Sequence, residues 1–380
     1  MHDTTTAAAG HVTLPAAARS RVRGIDVARG IAIVGMVMIH IGPQTVPGGG
    51  ALGAAYRSAH GRASILFIVL AGIGVSLLAG GRHGATPGAV GARLWWRALV
   101  LLPLGLALQS LPVNVAVILQ YYAVYFVVAS LLVGLGDRVL LAVAATGLTA
   151  GPVIVLWLQR TVPGWFEPGV PAWNDASRIV RDILLTGYYP VAVWIAPLAT
   201  GMWLGRRDLR APATPWRMLA GGAIVAAVGF VSSDLLVGAL GPATSDGDWR
   251  QLAVVVPHNE MPLWVVTASG IAVAITGSCI LVARRLPRLV WPMVAFGQLA
   301  LTVYVLHILV LAWRPEWLVR DGFAAAWASI GRFTLISVAL ATAYRLVAAR
   351  GPLEILLRAP WQGGGPRPAS RPVPPGARGA

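Results

Sequence analysis

Lysine is absent from this 380-residue chain, and all 30 of its basic residues are arginine. A phosphate-cradling glycine loop that ends in lysine is therefore excluded, and ATP-driven work of that kind is disfavoured. Cysteine occurs once, as Cys279, so there is no intrachain disulfide and no cysteine-based metal site. Charge of either sign is scarce: 12% of residues are charged, about half the fraction in a soluble domain. No His-Glu-x-x-His pattern is present and no strand pattern precedes a helix-opening glycine run, which disfavours zinc chemistry and, again, ATP-driven work. No small-residue cleavage site follows the first apolar run, which therefore reads as a retained helix with an uncleaved tail before it. Arginine without lysine reads as codon bias, so no nucleic-acid partner is expected.

Apolar residues are what the chain has in excess: 57% of the sequence, with a mean hydropathy of +0.71. This is the composition of an all-α polytopic membrane protein whose first partner is the lipid bilayer. Runs long enough to span recur at about 25–43, 63–80, 93–111, 114–135, 138–158, 183–205, 217–240, 262–283, 291–313 and 322–348. That predicts ten transmembrane helices in one domain over residues 19–358, between disordered tails at 1–18 and 359–380. With both termini placed in the cytoplasm, most arginines fall on the inner face, as expected for a multi-pass protein of the plasma (inner) membrane. The net charge of +16 is then mainly topology. The same arginines also suit an anionic cytoplasmic ligand.

Within the first span, Asp26, Arg29 and His40 interrupt an otherwise apolar helix. Ionisable groups at such depth are costly and are read as facing a functional interior. Arg29 and His40 are eleven residues apart, within about 20° of one helical face and roughly 16 Å along the axis. Asp26 precedes Arg29 by three residues, close enough to orient its guanidinium. A snorkelling Arg29 and a hydrogen-bonded core His40 are the plainer readings of the two taken singly.

Other candidates are scattered along the chain. Tyr304 and His307 share a face of the ninth span, Asp234 stands toward the outer end of the seventh, and Tyr189-Pro190 opens a kinked sixth span that also holds Trp194 and Pro197. The loop segments 44–62 and 159–182 carry aromatic and polar groups, among them His60, Arg62, Glu167, Trp173 and Asn174, and a third loop ends in His258-Asn259-Glu260. Such mixtures suit a sugar or other polar acceptor, and equally an interfacial aromatic belt.

With those residues in view, the sequence resembles the bacterial membrane proteins related to heparan-α-glucosaminide N-acetyltransferase, in the wider transmembrane acyltransferase superfamily. The resemblance spans roughly residues 19–358. It rests on Arg23-Gly-Ile-Asp-Val-Ala-Arg-Gly30, Arg62-Ala-Ser-Ile-Leu-Phe-Ile-Val-Leu-Ala-Gly72, Tyr189-Pro190 with Gly201 to Arg206, Leu301-Thr-Val-Tyr-Val-Leu-His307 and Gly351-Pro-Leu-Glu354. Arg29, ten residues and then His40 also match the first-helix signature of the superfamily's O-acyltransferase branch.

The resemblance implies an acyl-CoA donor, acetyl-CoA above all, on the cytoplasmic side and a sugar hydroxyl or amine on the other. In the heparan enzyme the active histidine lies between the first two spans, where this chain has His60, so the resemblance leaves His40 and His60 both standing as the catalytic histidine. The expected site is Asp26, His40 and His60 for catalysis, Arg23, Arg29 and Arg97 for the donor, and Arg62, Tyr189, Asp234, His258, Tyr304 and His307 around the substrates, with no metal. The rival expectation, from a different class, is a proton-coupled transporter or channel using the same buried groups. A homo-oligomer is open under either reading.

Overall fold

The computed structural model describes residues 21–42, 50–80, 86–166, 175–319 and 322–363. The two tails therefore lie largely outside the described residues, as do 43–49 and 167–174 within the two loop segments, with Glu167, Trp173 and Asn174. Among the described residues there are thirteen α-helices and no strand. They are α1 (Arg23–Ile41), α2 (Ala51–Ala59), α3 (Arg62–Leu78), α4 (Pro87–Gln109), α5 (Leu119–Leu132), α6 (Asp137–Thr161) and α7 (Ala176–Arg181). After these come α8 (Val191–Gly205), α9 (Ala213–Leu240), α10 (Pro262–Arg285), α11 (Trp291–Gln298), α12 (Ala300–Trp313) and α13 (Phe323–Val347).

Seven of the helices are long and apolar enough to cross a membrane, and up to nine spans result if each of two bent pairs counts as one. The chain is a multi-pass membrane protein. Helix α1 packs chiefly against α3, α10 and α11, and glycines let the backbones approach. A Cβ on Gly24 would strike the α10 backbone at Ile280, and one on Gly297 of α11 would strike the carbonyl oxygen of Asp26. Helices α3 and α8 meet the same way through Gly72 and Gly201.

Three expected spans are built differently. The run 291–313 is not one helix: α11 and α12 meet at Leu299 with a bend of 72°. The exposed N–H groups of the new helix start are what the bend costs, and Glu354 meets them, accepting from Thr302 N–H at 3.0 Å and from the Thr302 hydroxyl at 2.7 Å. The run 114–135 becomes helical only at Leu119, because Pro112 and Asn114 favour an irregular lead-in. The Gln109 amide satisfies that backbone, donating to Val115 O at 3.1 Å and accepting from Val117 N–H at 2.8 Å. At 14 residues, α5 reaches about 21 Å, short of a roughly 30 Å hydrocarbon core. The sixth expected span starts at Val191, after a π turn at Asp182–Thr186 and an extended break at 187–190, and is bent by 52° against what precedes it.

Candidate active site

Two clusters of polar side chains form, one at each end of α1. At the Arg21 end the hub is Asp26, only 1% exposed. Its carboxylate accepts from Arg21 at 2.6 and 2.8 Å, from Arg29 at 2.9 Å and from the Gln298 amide at 3.2 Å. Gln298 accepts in turn from Arg345 at 2.8 Å. A buried carboxylate with this many donors is held in one orientation, and it fixes both guanidiniums beside it. Arg21 and Arg29 then line a cavity of about 260 Å³ with Arg97, Tyr122, Tyr304 and Glu354. The Arg97 guanidinium lies 5.8 Å from the Phe126 ring, and its buried Nε finds no hydrogen-bond partner among the described residues.

Tyr304 also lines this cavity, and its hydroxyl accepts from Ile118 N–H at 3.2 Å. Edge-on behind it stands His307, with ring centroids 5.2 Å apart. His307 is fully buried and stacks on His40, its Nε2 2.9 Å from Nδ1 of His40. One nitrogen must donate and the other accept. His307 Nδ1 is buried with no hydrogen-bond partner among the described residues, so the contact by itself lets either ring be the donor. With His40 Nδ1–H as the donor and His307 Nε2 as the acceptor, His40 Nε2 keeps a free lone pair.

At the other end, where α1 finishes and α3 begins, His60, Arg62, Tyr188, Tyr189, Trp194, His258, Glu260 and Trp264 come together. Trp194 Nε1–H donates to Glu260 Oε2, while Oε1 is buried without a hydrogen-bond partner and lies 3.8 Å from His258 Nδ1. That nitrogen is also 3.3 Å from Tyr188 O. The His258 ring stacks on Trp194 and is flanked by Tyr189 and Trp264. Burial pushes the Glu260 carboxyl above its ordinary range, against the pull of His258 and Trp194.

The expected residues thus divide. Asp26, Arg29, Arg97, His40, Tyr304 and His307 gather on one path, and His60, Arg62, Tyr189 and His258 at the far end. Two others stand apart: Arg23 is exposed, 6.0 Å from the Trp291 ring, and does not line the cavity, and Asp234 is exposed on α9. The cavity takes Arg21 in place of Arg23, because Arg21 precedes the helix and folds back on Asp26 from a position that helical spacing does not rank. Gln298 and Glu354 are the other residues the spacing misses, although Glu354 sits in a motif already noted. A larger groove of about 1100 Å³ between α12 and α13 is lined mostly by apolar side chains and Arg332, which suits lipid rather than chemistry. Among the described residues no three His, Cys, Asp or Glu side chains stand close enough to share a metal ion.

Residues 21–237 match the family model described as heparan-alpha-glucosaminide N-acetyltransferase, catalytic, which is more than half of the chain. A comparison with curated proteins gives no match. The matched stretch runs from the start of α1 almost to the end of α9, and His258, Glu260, Tyr304, His307 and Glu354 lie beyond it.

Proposed function

The chain belongs to the heparan-α-glucosaminide N-acetyltransferase catalytic family, and on that premise we propose that it moves an acyl group, acetyl in the first instance, from acyl-CoA to a sugar hydroxyl or amine across the membrane. The observation that carries this reading is the arginine-walled cavity that ends one aromatic ring short of the His40–His307 pair. Its chemistry fits the donor. Guanidiniums meet phosphates in two-point geometry, the unpaired Nε of buried Arg97 leaves a donor to be used, and a cavity of about 260 Å³ admits an extended thioester arm while the nucleotide stays at the mouth. When bound, acyl-CoA supplies an activated acyl carbonyl.

The chain's own residues do the rest. Asp26 holds Arg21 and Arg29 in position, Tyr304 closes the inner end against water, and His307 fixes the tautomer of His40 so that its Nε2 receives the proton leaving the acceptor. In this reading the spans number ten, with α5 the short one, both termini face the cytoplasm and the membrane is the plasma (inner) membrane. The test is to give purified protein acyl-CoA labelled in the acyl group and to measure binding and thioester loss, with and without candidate sugars. Binding together with acceptor-dependent loss supports the reading. A solute carried unmodified, with the thioester intact, sinks it in favour of a transporter.

A further inference from the structure

Among the described residues, two non-glycine residues have a positive φ, His258 at 59° and Glu260 at 61°. They are also the two members of the histidine–carboxylate pair at the far end of α1. Backbone held there is strained and persists only where its surroundings enforce it. Here Asn259 does so from between them, donating to Val254 O and accepting from Met261 N–H, both at 3.1 Å. The turn aims Glu260 inward, 6% exposed, with one oxygen on Trp194 and the other unpartnered toward His258. On the far side of the imidazole the chain is bare: Gly61 has φ +66°, and a Cβ there would stand 3.3 Å from His258 Nε2. His258 keeps 23% of its side chain exposed, and His60 lies within electrostatic range of it.

We propose that His258 is a second proton acceptor, serving an amine acceptor in its ammonium form, and that Glu260 is its positioning residue. This rests on the acyl-transfer reading above. An ammonium must lose two protons to become an amide, and the His40–His307 pair accounts for one. His258 Nε2 takes the first proton as the acceptor arrives and sheds it to the water that its exposed edge meets. The neutral amine then attacks the acyl carbonyl, a C–N bond forms, the C–S bond breaks, and the second proton reaches the leaving thiolate through His40. Glu260 keeps the proton of His258 on Nδ1, shared with Tyr188 O, so that Nε2 presents its lone pair. Tyr189, Trp194 and Trp264 are buried against the imidazole and hold it in place, and the exposed Tyr188 beside it offers an aromatic ring to a pyranose or a cation.

The experiment compares two acceptors in wild type, His258→Asn and Glu260→Gln. Glucosamine is an ammonium at neutral pH, whereas methoxyamine is already neutral. Asparagine tolerates the positive φ, and glutamine retains an acceptor for Trp194. With glucosamine, His258→Asn should lower kcat about 100-fold and Glu260→Gln about tenfold, while acyl-CoA affinity and turnover with methoxyamine stay within threefold of wild type. Equal losses with both acceptors, or no loss with glucosamine, would overturn the proton-acceptor role. If His258→Asn does not fold, the split between the two acceptors in Glu260→Gln decides alone. Wild type that acetylates glucosamine while the variants match it leaves the acyl-transfer reading standing and removes this one, whereas wild type that does not bind acyl-CoA removes both.

Discussion

His40 and His307 are 267 residues apart in sequence and meet nitrogen to nitrogen at 2.9 Å, their rings within 12° of parallel. A single proton fits between the two facing nitrogens, so one ring donates while the other accepts and a proton can pass directly from ring to ring. His40→Ala should abolish acyl transfer, since it removes the lone pair. His307→Phe keeps the stacking but frees the tautomer of His40, and should cost about 10- to 100-fold in kcat with little change in acyl-CoA affinity. Steady-state kinetics on both variants, alongside thermal melting in detergent, tests this. A folded His40→Ala protein with full activity would hand the role to His60.

Arg29→Lys is not a conservative change at the Asp26 hub, because an ammonium cannot bridge a carboxylate and a phosphate in the geometry of a guanidinium. Acyl-CoA affinity, read by equilibrium binding, should weaken at least tenfold. Asp26→Ala goes further. It leaves two arginines without the carboxylate they share, and breaking a buried pair costs about 3 kcal/mol or more, so both the melting temperature and donor binding should fall. Wild-type affinity in Arg29→Lys would make Arg29 an interfacial anchor.

Gly74 borders the same cavity, and a Cβ on it would stand 3.3 Å from the Arg29 guanidinium. Gly74→Val fills the passage without touching a proton-transfer group. The expected result is a raised KM for acyl-CoA with kcat within a few-fold of wild type. A fall in kcat at unchanged KM would place the donor elsewhere.

The α1 stripe was legible because helical spacing ties Asp26, Arg29 and His40 to one face, and both the Asp26–Arg29 pair and the shared path follow from it. Arg21 was not, since it lies before the helix and reaches Asp26 by chain reversal. Nor does any local pattern announce that His307 would be the partner of His40, because that contact depends on how α12 packs. The apolar run 291–313 hides its bend for a similar reason: hydropathy is continuous through Leu299, and the group that makes the break tolerable, Glu354, is more than fifty residues away. Asp234 shows the converse, a charged residue within a span that meets no polar partner in either cluster.

Glu260 gives a pH-dependent prediction. Burial raises its carboxyl above the ordinary range, so its contribution to folding is fully present below the unfolded value near pH 4.3 and is lost as pH rises through the folded value. Glu260→Gln, which carries no charge at any pH, should therefore melt higher than wild type at pH 8, and the gap should narrow toward pH 5. Melting curves of both proteins across that range decide it. A gap that is constant or that widens on acidification contradicts a buried, reluctant carboxylate.

Sidedness is the remaining consequence of the layout. The arginine-lined cavity opens at the end of α1 that carries Arg21, and the His60–His258 cluster occupies the end where α1 stops and α3 begins. Arg29 and His40 are eleven residues apart on the helix, about 16 Å, so the acyl-transfer reading requires the two substrates to approach the histidine pair from opposite faces. In vesicles of known orientation, acyl-CoA supplied only on the Arg21 side should be consumed when the acceptor is supplied only on the other, and neither substrate should react when the two are exchanged. Placing a bulky blocking group on an engineered cysteine at Gly50 should then slow acceptor modification while leaving acyl-CoA affinity intact, because Gly50 belongs to the acceptor end. A reaction that requires both substrates on one face would refute the through-membrane path while leaving acyl transfer itself untouched.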